Sequence, residues 1–250
     1  MTLDLEFVRA RFPAFSEPSL QDFAPFENAG GSYACGPAID ALDRFYRETK
    51  VQPYHHFAPS RRGGELMDRA KSRMAGWLNV AGDEVHFGPS TSANSYTLAH
   101  ALRDHLEPGD EVIGTNQDHE ANIGAWRRLE AAGIVLREWR VNPATAELEI
   151  AGLEALLGER TRAVAFTHCS NVVASINPVR EITDLVHRAG AIAIVDGVSF
   201  APHGLPDVKA LGADVYFFSL YKVYGPHLGV MVLSRALNES LPHQGHFFNA

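Results

Sequence analysis

An apolar strand that runs into a turn occupies residues 215–226, with the sequence Val215-Tyr216-Phe217-Phe218-Ser219-Leu220-Tyr221-Lys222-Val223-Tyr224-Gly225-Pro226. Lys222 is one of only four lysines in the chain, and it follows the predicted strand directly. Burial at the end of a core strand disfavours the charged ammonium and lowers its pKa, which leaves more of the nucleophilic amine. Such a lysine can form a Schiff base with a carbonyl cofactor such as pyridoxal phosphate. A lysine whose stem packs on the strand while its head reaches water is the alternative.

A second apolar strand, Ala191 to Val195, ends in Asp196-Gly197. The carboxyl ends of parallel strands form the edge where such sheets bind ligands. A carboxylate at that edge can pair with a pyridine nitrogen and keep it protonated, so that the ring accepts electrons from a carbanion. Asp196 could instead be a helix cap or a turn former. Its occurrence together with Lys222 favours the cofactor role.

Strands and helices alternate from residue 84 onward. Strands are predicted at 84–87, 111–115, 134–139, 162–167, 191–195, 214–218 and 229–233, and helices at 92–105, 120–132, 151–157 and 178–189. This alternation predicts an α/β fold with a mainly parallel seven-stranded sheet and helices on both faces. The last strand follows a short turn without a helix, so we expect it to run antiparallel. A short amphipathic helix is predicted at 3–12, followed by an irregular stretch containing Pro13, Pro18 and Pro25.

Other polar residues fall at the same predicted edge of the sheet. Thr91 and Ser92 open a helix and can offer hydroxyls, backbone N–H groups and the helix dipole to a phosphate, although plain N-capping is the alternative. His119 follows the strand 111–115; it lacks the second histidine of a helical zinc site and can stack on an aromatic ring. Asn171 follows the strand 162–167 and can donate to a phenolate oxygen. Polar residues therefore follow four strands at one edge of the sheet, at 115–119, 168–171, 196 and 219–222. Such convergence predicts a ligand site.

The composition excludes several classes of protein. The formal net charge of −8 argues against nucleic-acid binding, because phosphate backbones require a clustered positive surface. No apolar stretch approaches the roughly 20 residues of a membrane span, and the N-terminus lacks the pattern of a signal peptide. Two cysteines, Cys35 and Cys169, form no disulfide framework. These features predict a cytosolic globular protein that does not bind a membrane, and the sequence has no glycine-rich dinucleotide or P-loop motif.

These motifs, in this order, resemble the class V aminotransferase family of fold type I, pyridoxal-phosphate-dependent enzymes. The matching motifs are Thr91-Ser92, Asp118-His119-Glu120-Ala121-Asn122, Ser170-Asn171, Val195-Asp196-Gly197 and Ser219-x-x-Lys222-x-x-Gly225-Pro226. Within the family, the sequence is most similar to the cysteine desulfurase-like branch. Asn28-Ala29-Gly30-Gly31 resembles that branch's Asn-Ala-Ala segment, and Ser60-Arg61-Arg62 resembles a loop ahead of its first large-domain helix.

The resemblance implies a role for each matching residue. Lys222 would hold pyridoxal 5'-phosphate as the internal aldimine and shuttle the Cα proton. Asp196 would pair with the pyridinium nitrogen, His119 would stack on the ring, and Asn171 would bond the phenolate oxygen. Thr91, Ser92 and Ser219 would hold the phosphate, while Ser199 stands where many relatives have a longer side chain that reaches the cofactor. Tyr221 replaces the histidine that often precedes the lysine in desulfurases. Family members are usually homodimers, in which His55 or Arg61 could reach the partner's site.

The resemblance also implies a domain division. Residues 1–25 would belong to the small domain in relatives, 26–236 would form the cofactor-binding large domain, and 237–250 would begin a linker to a missing C-terminal small domain. That part supplies the substrate-binding arginine and the persulfide-forming cysteine in relatives, and neither Cys35 nor Cys169 matches this cysteine. The predicted function is a transferase or lyase that acts on an amino acid. The alternative is a catalytically inactive fragment or partner-binding remnant of the same fold.

Overall fold

A seven-stranded sheet forms the centre of the computed structural model, which describes residues 3–24 and 26–245. The strands are β1 (Val85–Gly88), β2 (Glu111–Thr115), β3 (Val135–Trp139), β4 (Thr161–Thr167), β5 (Ile192–Asp196), β6 (Val215–Ser219) and β7 (Gly229–Leu233). All seven predicted strands are confirmed within one residue at each end. The central strands β4, β5, β6 and β7 were recognisable because each is a largely apolar run that is buried along most of its length, whereas β1 and β3 at the two ends of the sheet are partly exposed.

The order of the strands across the sheet is β1-β7-β6-β5-β4-β2-β3. Every neighbouring pair is parallel except the two that involve β7, which runs antiparallel to both β1 and β6. The mainly parallel sheet and the antiparallel last strand are therefore confirmed. Because β2, β4, β5 and β6 are parallel, their carboxyl ends lie along one edge of the sheet.

Helices cover both faces of this sheet. They are α1 (Leu5–Ala10), α2 (Gly36–Arg44), α3 (Ala58–Leu78), α4 (Thr91–Arg103), α5 (Glu120–Arg127), α6 (Ile150–Glu154), α7 (Val179–Arg188), α8 (Val208–Leu211) and α9 (Arg235–Ser240). One core cluster joins the sheet to α3, α6, α7 and α8, and a second joins it to α4, α5 and α9. Neighbouring residues on one strand belong to different clusters: Ile113 lies in the first cluster and Val112 in the second. This division follows from the alternation of side chains along a strand.

The N-terminal region contains more helix than the sequence pattern predicts. The first helix is shorter than expected, and Pro13 and Pro18 begin short 3₁₀ helices, while Pro25 lies outside the described residues. Helix α2 and the 21-residue helix α3 were not predicted. The interpretation of Ser60-Arg61-Arg62 as a loop is wrong, because these residues lie in the first two turns of α3. Proline fits the start of a helix because the first N–H groups need no helical partner, so Pro37 and Pro59 begin helices here rather than interrupt them.

Two further segments differ in detail from the prediction. The helix expected at 120–132 ends as an α-helix at Arg127 and continues as a 3₁₀ helix over Arg128–Ala132. Helix α9 spans the predicted boundary at residue 237, and its Leu237 is buried in the core. Residues 246–250 of the expected linker lie outside the described residues. Across the described ranges, we find no helix with the length and apolar character needed to span a membrane.

Candidate active site

A cavity of about 280 Å³ opens at the carboxyl edge of the sheet. Its walls come from the ends of β4, β5 and β6, the start of α4 and the cap of α5. All eight candidate residues from the sequence line this one cavity: Thr91, Ser92, His119, Asn171, Asp196, Ser199, Ser219 and Lys222. The parallel topology explains the convergence, because each strand delivers the residue at its carboxyl end to the same place.

The start of helix α4 presents a group of small hydroxyl side chains to the cavity. Ser90 caps the helix by accepting from the backbone N–H of Ala93 at 3.0 Å. The hydroxyls of Thr91 and Ser219 are 2.7 Å apart, which joins the helix start to the end of β6. Thr91 and Ser219 are both nearly inaccessible, at 4% and 2% exposed. Hydroxyls and the remaining free N–H groups at a positive helix end are well suited to donate to an anion.

Gly229 allows this helix start to lie directly against the sheet. A Cβ atom at Gly229, the first residue of β7, would lie 2.5 Å from the backbone nitrogen of Thr91 and 2.6 Å from the carbonyl oxygen of Ser90. Any side chain at this position would therefore collide with backbone rather than with a mobile side chain. The close approach fixes where the N–H groups of α4 point.

Lys222 lies in a 3₁₀ turn, Leu220–Lys222, that follows β6. Its side chain is buried, with a residue exposure of only 8%. Burial lowers the pKa of the Lys222 ammonium, while the negative charges of Asp196 and Glu27 act in the opposite direction. The amine is thus held in a site that favours its neutral, nucleophilic form.

Asp196 lies at the end of β5 and is 4% exposed. Its Oδ1 accepts from the backbone N–H of Val198 at 2.8 Å. Burial raises the pKa of the Asp196 carboxyl, and this hydrogen bond and the charges of His119 and Lys222 oppose the shift. A buried carboxyl of this kind would gain most from a cationic partner in the cavity, because such a partner compensates the lost hydration.

His119 is the N-cap of helix α5, and its ring lies at the cavity wall. Its Nδ1 accepts from the backbone N–H of Ala121 at 3.0 Å, which places the ring proton of the neutral form on Nε2. The preceding residue anchors this cap: the Asp118 carboxylate accepts from the Thr115 hydroxyl and from Asn122 Nδ2. The ring orientation of His119 is therefore fixed by backbone that is itself tied to β2.

Asp118 belongs to one of the matching motifs, but the sequence predicted no role for it. Burial raises its pKa to about 7, with the charge of Asp196 adding to the effect and the bonds from Thr115 and Asn122 opposing it. Asn122 in turn accepts from the indole N–H of Trp126 at 2.9 Å. A continuous chain of hydrogen bonds thus runs from β2 into α5.

A second layer of aromatic residues lies behind Asp196. The His168 ring stacks on Phe200 with centroids 3.6 Å apart, and its Nδ1 is 2.8 Å from the Tyr216 hydroxyl. Burial lowers the pKa of His168 to about 4, so this ring is neutral near pH 7. The backbone N–H of His168 donates to the Asp196 carbonyl at 2.7 Å. This layer supports the backbone that carries the Asp196 carboxylate.

Two rings beside Lys222 also line the cavity, and the sequence analysis assigned neither to the site. Tyr221 and His227 stack with centroids 4.5 Å apart and an interplanar angle of 4°. Tyr221 directly precedes the lysine and His227 directly follows Gly225-Pro226, so their positions in the sequence could have predicted that they lie at the site. Cys169 is buried, and burial raises the pKa of its thiol.

Comparison with known proteins shows which family the sequence resembles. The sequence profile of the aminotransferase class-V family matches residues 26–246. The chain is 39% identical to the aminotransferase-like protein FGM3 of Gibberella zeae over 99% of this chain and 62% of that protein. It is 35% identical to the cysteine desulfurase-like protein ustD of Aspergillus flavus, over 98% of this chain and 57% of that protein.

Solved structures give the same picture of the fold. The crystal structure of the cysteine desulfurase CsdA from Escherichia coli superimposes with a TM-score of 0.84 at 26% identity, over 99% of this chain and 62% of that chain. The expected fold type I architecture is confirmed by this likeness. The chain spans less than two thirds of the length of each of these relatives, which are longer proteins.

Proposed function

The chain belongs to the aminotransferase class-V family, and on this premise we propose that it binds pyridoxal 5'-phosphate through Lys222 and acts on an amino acid. The proposed chemistry is that of a cysteine desulfurase-like transferase or lyase. One observation carries the proposal: a buried lysine, a buried aspartate and a hydroxyl-lined helix start face a single cavity. The names of the relatives support the class of reaction.

The residues of the cavity fit the cofactor group by group. The start of α4 with Thr91, Ser92 and Ser219 provides donors and a positive helix end for a phosphate dianion. Asp196 provides a carboxylate for a protonated ring nitrogen, and the positive charge would compensate the hydration that the buried carboxylate has lost. Lys222 provides the amine for an aldehyde carbon.

Each residue then has a defined task in the proposed reaction. Pyridoxal phosphate, when bound, supplies an electron sink for negative charge at the substrate Cα. Asp196 would hold the proton on the ring nitrogen, and His119 would lie against the ring face. Lys222 would take the proton from the substrate Cα and return it at the end of the cycle. Asn171 would donate to the phenolate oxygen, and Ser199 also lines the cavity.

Assembly into a homodimer is part of the proposal. More than half of the exposed large apolar side chains in the described residues lie between residues 3 and 57, including Phe26 at 93% and Tyr46 at 63% exposure. Exposed apolar surface of this kind is typical of an interaction site. The amino-acid substrate and the cytosolic location expected from the sequence remain predictions.

Reductive labelling tests the assignment of Lys222. The protein is incubated with pyridoxal phosphate, treated with borohydride, digested and mapped by mass spectrometry. We expect one pyridoxyl label, on Lys222, in the parent and in the Lys209→Met control, whose lysine is exposed on α8. The Lys222→Met variant should take no label. Labelling of Lys209, or equal labelling of Lys222→Met elsewhere, would contradict the proposal.

Activity assays distinguish the proposed enzyme from the alternative, a non-catalytic member of the fold. Protein loaded with pyridoxal phosphate but not treated with borohydride is assayed for sulfide release from cysteine and for amino transfer from alanine to a keto acid, because reduction of the Schiff base would block turnover. Turnover of either kind supports the enzyme. A protein that is labelled at Lys222 yet shows neither activity would support the alternative, because binding and catalysis are then separated.

A further inference from the structure

A half-buried serine far upstream contacts both sides of the turn that carries Lys222. The Ser32 hydroxyl donates to the carbonyl oxygen of Tyr221 at 2.9 Å and accepts from the backbone N–H of Tyr224 at 3.2 Å. The backbone N–H of Ser32 donates to the same Tyr221 oxygen at 3.1 Å. One residue thus holds the peptide groups on either side of Lys222.

The neighbours of Ser32 add to this attachment. The N–H of Cys35 donates to the Tyr224 carbonyl at 3.0 Å. Gly31 lies against the ring of Tyr221, where an added Cβ would be 3.0 Å from Cδ2. The segment of residues 31–35, which we call the latch, therefore contacts the turn by hydrogen bonds and by packing.

The turn is closed by hydrogen bonds from the backbone N–H groups of Val223 and Gly225 to the Leu220 carbonyl, but these leave the backbone of Tyr224 without a partner inside the turn. Strand β6 ends at Ser219, so Lys222 lies beyond the ladder of strand hydrogen bonds. Tyr224 has a φ of 65°, a left-handed backbone conformation that is unfavourable for a residue with a side chain. Both polar backbone groups of Tyr224 are satisfied by the latch, its N–H by Ser32 and its C=O by Cys35. The latch stabilises a conformation that Tyr224 would not adopt alone.

We propose that the latch positions the Lys222 amine toward the cavity and that Ser32 is the positioning residue. This inference rests on the proposed function, since the orientation of the amine matters only if Lys222 receives a cofactor. Without the hydroxyl, the Tyr224 N–H loses its partner and the turn samples other conformations. The amine then faces the cavity for a smaller fraction of the time.

The charges around Lys222 come from several elements. Asp196 at the end of β5 and Glu27, just ahead of the latch, both favour the charged amine. Among the described residues, the other titratable groups that line the cavity are His119 at the cap of α5, Tyr221 and His227. A looser turn brings Lys222 more water, which moves its pKa back toward the ordinary value of a lysine.

Two measurements on Ser32→Ala test the inference, with Ser32→Thr as the variant that keeps the hydroxyl and Ser19→Ala as the matched control. Ser19 is exposed and contacts only Glu17 by hydrogen bond from its side chain. In the protein without cofactor, hydrogen exchange at the Tyr224 amide should be about five to ten times faster in Ser32→Ala, because one net hydrogen bond is lost. Ser32→Thr and Ser19→Ala should exchange like the parent.

The second measurement is the rate of reductive labelling of Lys222 by pyridoxal phosphate between pH 6 and 10. Ser32→Ala should label about fivefold more slowly at pH 7, and the midpoint of its pH profile should lie higher than in the parent. A purely structural role for Ser32 would lower stability without moving this midpoint. Parental exchange at Tyr224, or faster exchange with an unchanged pH profile, would overturn the inference. A parent that takes no label refutes the proposed function itself and removes the role of Ser32 toward the cofactor, even if the exchange data show the latch.

Discussion

Adding a methyl group at Gly229 tests how the candidate phosphate site is built. The new Cβ would lie 2.5 Å from the backbone nitrogen of Thr91 and 2.6 Å from the carbonyl oxygen of Ser90. Carbon atoms do not approach backbone atoms this closely, so either β7 or the start of α4 must move. Both elements are packed in the core, since all five residues of β7 are buried. The displacement therefore reaches the N–H groups that would bind the phosphate.

The expected effect on stability follows from overpacking. Inserting a methylene-sized group into a packed core costs typically about 1–3 kcal/mol. The expected effect on binding is separate, because misplacing one hydrogen bond to a charged group removes about 1.5–3 kcal/mol. Since about 1.4 kcal/mol corresponds to tenfold in affinity, pyridoxal phosphate should bind Gly229→Ala at least about tenfold more weakly.

Gly76→Ala is the matched control for this experiment. Gly76 lies on the exposed side of α3, and no heavy atom comes within 4 Å of an added Cβ. Alanine is a better helix former than glycine by roughly 0.5–1 kcal/mol, so this variant should be slightly more stable than the parent with unchanged cofactor affinity. Urea unfolding and absorbance titration with pyridoxal phosphate measure the two quantities. If Gly229→Ala matches the parent in both, the close approach of β7 to α4 does not shape the site.

Two further predictions concern Asp118 and assembly. The pKa of Asp118 is about 7 in the folded chain and 3.8 ordinarily, so between these values the folded state binds a proton that the unfolded state does not. The protonated Asp118 therefore contributes fully to stability below about pH 4, and this contribution is lost as the pH rises through 7. The whole loss is at most about 4 kcal/mol, of which about 3 kcal/mol falls between pH 5 and pH 8. Urea unfolding at these two pH values should show this loss in the parent and in the exposed control Asp22→Asn but not in Asp118→Asn; equal pH dependence in all three proteins would refute the assignment. For assembly, sedimentation equilibrium should show dimers that Phe26→Ser weakens, and a parent that stays monomeric at every concentration would exclude the homodimer.

Much of the sheet and the site could be predicted because the information is local. The central strands are buried, largely apolar runs, and the candidate residues lie at the carboxyl ends of strands or within four residues after them, so a parallel sheet brings Asp196 and Lys222 together without further knowledge. The assigned roles of these residues remain predictions until a cofactor is bound.

The parts that could not be predicted depend on contacts between distant segments. Helix α3 was missed because it contains Gly63, Gly64 and Gly76 and a polar first half, although its last turn packs Met74, Ala75 and Leu78 on the sheet. Glycine and proline usually mark the end of a helix in a sequence, and here packing outweighs that preference. Ser32 carries no local signal at all, since its partners Tyr221 and Tyr224 lie at the other end of the chain.

The position of β7 between β1 and β6 has a consequence for folding during synthesis. Strand β1 is the first strand to leave the ribosome, yet it pairs only with β7, the last of the seven. Helix α4 likewise gains its close contact with Gly229 only at that point. Until β7 emerges, β1 exposes an edge that can pair wrongly with other chains, and late pairing of distant strands is intrinsically slow. We therefore expect the nascent chain to depend on chaperones until residue 233 has been released, after which β7 pairs with both β1 and β6 and brings Gly229 against the start of α4 in one event.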